Sequence, residues 1–235
     1  MVQNIVIERL YEALIDGDRK KAQGVIDEQF EQGADAEIVI AELLWPTYEL
    51  IDRLFREDTL STLSRNMAVK LLRVFADRCG ERLEPADEPA GRTVLAFSGQ
   101  PETEELGAQM AIDILDAAGF QVRYAGGGVA NDEILAAIHA RRPDVLLAFC
   151  SAAADLPDLR SLIDNLHEIG ACPDIQIVVG GGVFNRADGL AEEIGADLWA
   201  ADPLELASAM VLEADHRAPA DQRTVGRIRR PRLAA

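Results

Sequence analysis

Apolar residues recur at helical spacing through the first third of the chain and then give way to short continuous runs. Ile7, Leu10, Tyr11 and Leu14 fall on one helical face, and Gly17-Asp18 breaks that helix. A second helix is predicted over 19–31, ended by Gly33. A long third covers 36–57 with Pro46 inside it, where the missing N–H should kink the helix. A fourth, over 60–80, carries Leu63, Met67, Leu71, Val74 and Phe75 on one stripe. Four helices with short connections predict an all-α four-helix bundle over residues 1–83. The following stretch, with Pro85, Pro89, Gly91 and three acids, reads as a linker over 84–92.

From Thr93 the pattern alternates. Strand-like runs lie at 93–98, 121–125, 144–150, 175–179 and 197–200, separated by helical runs near 103–118, 131–141, 157–169, 186–194 and 203–213. Continuous apolar strands joined by helices predict a five-stranded parallel sheet, covered on both faces, over 93–213. Ligands of such sheets bind beyond the carboxyl ends of the strands. The candidate loops are therefore 98–107, 125–131, 150–156, 180–185 and 200–203.

Composition narrows the functional classes. The chain has 235 residues and a net charge of −18, which argues against direct nucleic-acid binding by its body. No apolar run approaches the length of a membrane span, and the N-terminus lacks the basic start and apolar block of a signal peptide. A cytoplasmic location is expected. Cys79, Cys150 and Cys172 have neither zinc nor redox spacing and read as free structural thiols. Positive charge collects at the C-terminus: between Asp215 and Ala235 six arginines face two aspartates. With few apolar residues, 214–235 reads as a disordered basic tail, either solvated or an electrostatic arm for a partner.

The stretch SGQPETEELGAQM (98–110) joins the first strand to its helix. Pro101 suits a first helical turn, and Glu102, Glu104 and Glu105 favour the positive end of the helix, so helix initiation accounts for the composition. Glycine triplets at 126–128 and 180–182 end two other strands. Neither matches a dinucleotide or Walker fingerprint, and no nucleophile elbow or histidine-paired cysteine is present.

The spacing is more specific. E-T-E-E-L-G ends at Gly107, 41 residues (108–148) lead to Phe149-Cys150-Ser151, and 28 more (152–179) lead to Gly180-Gly181. This resembles the D-x-H-x-x-G, S-x-L and G-G pattern of the cobalamin-binding module of methionine synthase, corrinoid methyl carriers and light-sensing regulators. AAGFQVRYAG, RRPDVLLAF and IGADLWAADPLEL are similar to family phrasing, and the N-terminal bundle resembles the family's helical cap. The resemblance implies a flavodoxin-like (Rossmann-like) doubly wound sheet behind the bundle. It implies cofactor-contacting positions at Phe55, Glu102, Glu104, Gly107, Phe149, Ser151, Gly180 and Gly181.

The departures fall on the chemistry. Glu104 stands where the family has its cobalt-ligating histidine, and Glu102 where it has the aspartate that orients that ring. Phe149 replaces the first hydroxyl of S-x-L, and Phe55 the tryptophan over the upper face. Arg65-Asn66 replaces the Glu-His pair of the light-sensing members. A carboxylate is a harder ligand than imidazole. His139 and His167 fall near helix C-termini, on the side away from the ligand loops, and His216 begins the tail. The resemblance with these losses implies a non-enzymatic regulatory sensor or adaptor acting on a protein partner such as a transcription factor. It would bind cobalamin through the cofactor's own base or another tetrapyrrole such as haem, and no metal through its own side chains. Two alternatives stay open: a ligand-free interaction scaffold with a filled site, and a corrinoid carrier of a methyltransferase system. Pairing of cap helices in a homodimer is also open.

Overall fold

The computed structural model describes residues 2–99, 102–170 and 172–218, with side chains for all of them except Val2, Gln3, Glu102, Thr103 and Glu104. The cap begins with α1 (Val2–Ile15) and α2 (Arg19–Glu31), the latter started by the Asp18 carboxylate, which accepts from Lys21 N. The third helix is one rod with an irregularity: α3 (Ala36–Val39) passes through a π-helical turn (Ile40–Leu44) into α4 (Trp45–Arg56). The expected proline distortion is thus absorbed in the turn preceding Pro46, where widening the ladder accommodates the missing N–H. Ser61 caps α5 (Thr62–Gly80) through Ser64 N.

Of the regular stripe on α5, only Phe75 is fully buried. The residues that α5 buries are Ala68, Val69, Leu72, Phe75, Ala76 and Cys79, whereas Leu63 is 70% and Met67 38% exposed and Leu71 and Val74 are half-buried. This helix has apolar residues on two faces, and the period of 3.6 is satisfied by either. Contact with α1 and α4 selects the one that packs.

The second unit contains β1 (Thr93–Ser98), α6 (Glu102–Ala117), β2 (Gln121–Gly127), α7 (Asn131–Arg141), β3 (Val145–Phe149), α8 (Leu156–Ile169), β4 (Gln176–Gly180), α9 (Gly182–Asn185), α10 (Leu190–Ile194), β5 (Leu198–Ala200) and α11 (Pro203–Leu212). Of the helix expected over 186–194 only Leu190–Ile194 forms, started at Gly189, and a separate short helix, Gly182–Asn185, precedes the expected range. All strands are parallel in the order β2-β1-β3-β4-β5, with β3 and β4 buried throughout. This is the flavodoxin-like arrangement, and its topological switch point lies between β1 and β3. One face packs under α7, α8 and α10, and the other under α6 and α11.

The cap sits on the α6 side. Leu106, Met110 and Ile114 of α6 are buried in the cap's own core, and Leu204 and Ala207 of α11 pack against it. A single helix therefore serves both cores. Beyond α11 the chain stays attached to the base of the sheet: Gln176 Nε2 donates to the Glu213 and His216 carbonyls, Arg217 to the Asp174 carbonyl, and Ala218 N to Asp197 Oδ1. The boundary expected at 213/214 falls inside this bonded stretch, and the rest of the expected tail, 219–235, lies outside the described residues. No helix among the described residues is long and apolar enough to cross a membrane.

Candidate functional site

The loops after β1, β3 and β4 open toward the cap at the switch point, and the space between is lined from both sides. The cap contributes Trp45, Tyr48, Glu49, Asp52 and Arg56 from α4. The sheet unit contributes Gly107, Ala108, Phe149, Ser151, Gly181, Gly182, Asn185 and Arg186. The enclosed cavity is only about 100 Å³, against the roughly 300–1,000 Å³ of small-molecule sites.

Two aromatic rings close it. The Tyr48 ring lies on Gly107: a Cβ at that position would stand 2.9 Å from Tyr48 Cε1. Phe149 ends β3 with its ring on the α6/α11 face, buried among Ala108, Leu198 and Leu206 and lying beside Gly180. Gly181 is held at φ +105°, and any side chain there would overlap the carbonyl of Cys150. Glycine is therefore demanded by close backbone approach as well as by dihedral.

Polar contacts tie cap to loops. Glu105, in the first turns of α6, accepts from Gly127 N at 3.3 Å and lies 3.9 Å from Arg73 of α5, so it links the β2 loop to the cap. Arg186 donates to the Ser151 carbonyl, and Asn185 donates to the Ala201 carbonyl. Glu49 as a residue is open to solvent, but its carboxyl lies against Asn185. Burial of that group pushes its pKa up, and the Asn185 hydrogen bond acts in the opposite direction. Asp52 pairs with Arg56 at 2.9 Å and lies 3.9 Å from Arg65.

Gly107, Phe149, Ser151 and Gly181, among the residues singled out from sequence, line the cavity, and Gly180 abuts the Phe149 ring. Phe55 does not line it; its ring is covered by the Arg65 guanidinium at 4.2 Å. Phe55 and Arg65, two of the three cap positions where the sequence departs from the resembled family, are thus stacked on each other. Glu102 and Glu104 begin α6, and their side chains lie outside those described. Sequence reasoning missed Tyr48, Glu49, Asn185, Arg186 and the bridging role of Glu105. The small residue at Gly107 facing a cap aromatic was the available signal, but pairing it with Tyr48 requires the cap's placement.

The donor set does not suit a histidine-ligated corrinoid. No histidine lines the cleft. His139 lies in the last turn of α7, His167 Nδ1 is 2.9 Å from the Ile163 carbonyl, and His216 lies at the base of β4. Among the described residues no group of three His, Cys, Asp or Glu side chains could hold a metal ion. Cys150 packs into the core under α7 and α8.

Comparison with known proteins places these features. Models described as B12 binding domain match residues 92–208 and, for the helical part, residues 6–73. The structure of a monomethylamine corrinoid protein from Methanosarcina barkeri superposes with a TM-score of 0.77 at 20% identity, covering 89% of this chain and 99% of that one. A cobalamin-binding protein from Desulfitobacterium hafniense aligns at 17% identity and a TM-score of 0.46, covering 86% and 95%. The methanol:cobalamin methyltransferase complex from Methanosarcina barkeri aligns at 18% and 0.49, covering 92% and 82%. No curated protein matches the chain in sequence.

Proposed function

The chain belongs to the B12-binding domain family, and from that premise we propose that it is a non-catalytic corrinoid-binding protein that holds cobalamin with no protein ligand to cobalt and works through a protein partner. The observation that carries this reading is the surviving cleft. Gly107 under Tyr48 and Gly181 against Cys150 keep side chains out of the switch point, although Glu104 stands where the family has its cobalt-ligating histidine. Such a site can contact a corrin by its faces and edges while the cofactor's own benzimidazole serves as lower base. The cap must move to admit it. The contacts across the cleft include the Tyr48 ring on Gly107, the Glu49–Asn185 hydrogen bond and the long, partly solvated Arg73–Glu105 pair, the last a type of pair that contributes on the order of 0–1 kcal/mol.

Two finer readings share this basis. The fold held in common with a corrinoid protein is compatible with a carrier that presents its bound cofactor to a methyl-transferring enzyme. A sensor acting on a transcription factor rests only on the replaced motif residues. Haem is disfavoured, because the cleft presents no histidine, cysteine or methionine side chain to its iron, and Tyr48 is packed with its ring on Gly107. A ligand-free scaffold is the second reading, favoured by the small cavity and by Phe149 within it.

The test uses the full chain, with hydroxocobalamin and haemin run separately through size exclusion. Cobalamin is expected to co-elute and haemin to pass through free. On reduction to Co(II), the nitrogen hyperfine pattern should be the same in ¹⁵N-labelled and unlabelled protein, because the axial nitrogen belongs to the cofactor. A changed pattern would mean a protein nitrogen on cobalt. Absence of co-elution would leave the scaffold reading in its place.

A further inference from the structure

Helix α11 is apolar on more than one face, with Glu205 and Ser208 as its polar residues. Leu206 and Met210 are buried against the sheet, while Leu204, Ala207 and Val211, spaced i, i+3 and i+7, look the other way. Across from them lies Ile114 of α6, and together with the start of the linker they form a groove of about 440 Å³. Val211 is 51% and Leu212 83% exposed, where a surface helix would ordinarily turn polar residues outward. The charged residues of the groove wall are both acids, Glu37 and Glu84.

We propose that this groove is the docking site for the chain's own basic segment, residues 219–235. Three observations converge. The described chain stops at Ala218, whose N–H is bonded to Asp197 Oδ1 at the base of β5. That is the end of the sheet where α11 finishes, since Arg92, just before β1, donates to the carbonyls of Met210 and Ala214. The following 17 residues can span roughly 55 Å when extended, so reach is no obstacle. Their composition complements the groove: Arg223, Arg227, Arg229, Arg230 and Arg232 against one acid, Asp221, interleaved with Val225, Ile228 and Leu233. Apolar side chains meet the α11 stripe and guanidinium groups meet Glu37 and Glu84. This interaction needs no corrin and stands apart from the function of the cleft.

The experiment follows tryptic cleavage after Arg223, Arg227, Arg229 and Arg232 in the full-length protein by mass spectrometry, Arg230 being shielded by Pro231. Docking should protect them, and Val211→Gln with Leu212→Gln should raise the cleavage rate about tenfold, because proteolysis follows the undocked population. Glu37→Gln with Glu84→Gln, which alters only exposed carboxylates and adds no tryptic site, should raise it as well. It serves as the independent variant should the apolar one fold poorly. Salt at 0.5 M should act in the same direction. Equal rates in all variants would overturn the proposal. Protection that grows with protein concentration would overturn it too, by placing the segment on a second copy.

Discussion

Gly107 and Tyr48 show how one position couples the two units. A side chain at 107 meets the Tyr48 ring at 2.9 Å, an overpacking that costs about 1–3 kcal/mol. Replacing a helical glycine by alanine returns roughly 1 kcal/mol in propensity. Gly107→Ala should therefore lower stability in urea unfolding when Tyr48 is present. In a Tyr48→Ala background the same change should raise it by roughly 1 kcal/mol. The same effect in both backgrounds would mean that the ring does not rest there. The glycine was legible in sequence as a motif position; its contact was not, since Tyr48 lies 59 residues away. Phe149 was legible in the same partial way. Its identity announced a departure, but only the register Phe149↔Gly180 shows where the ring goes.

For whole elements, sequence pattern placed strands and helices closely because their signals are local: capping carboxylates, glycine breaks and apolar runs. It failed where a helix offers two apolar faces. Leu63 lies on the regular stripe of α5 yet is exposed, whereas Leu72 is fully buried. Leu63→Lys should change stability by no more than about 0.5 kcal/mol. Leu72→Ala should cost about 2–5 kcal/mol. Chemical denaturation of both variants decides which face is core, and the reverse ranking would contradict the packing. The helix expected over 186–194 is shortened for a local reason. A run of helix-compatible residues was read through Gly189, whose positive φ caps the start of Leu190–Ile194.

At the scale of the molecule, α6 binds cap to sheet, and a carboxyl sits at that seam. Asp113 accepts from Gln109 at 2.7 Å while its other oxygen lies against Gly80 of α5. Burial raises its pKa above the ordinary aspartate range, the Gln109 bond works against this, and the nearby Asp77 and Asp116 charges raise it further. Between the ordinary and the raised value the folded protein holds more protons than the unfolded chain, so stability from this group falls as pH rises through that window. Asp113→Asn should accordingly raise Tm at pH 7. The gain should vanish by about pH 3, where the unfolded carboxyl is also protonated. Thermal melts of both proteins across this range check the sign, and a variant less stable at pH 7 would refute it. By itself the sequence determined the two units, the parallel sheet, the loops at its switch point and the glutamate, Glu104, that stands where the resembled motif has a histidine. All of these are written in local periodicity, spacing and residue identity. Only the tertiary structure decided which face of α5 is core, that α6 belongs to both cores, and that Tyr48 and Phe149 reduce the cleft to about 100 Å³. Those outcomes depend on which surfaces meet across long separations, and periodicity along a chain carries no information about its partner.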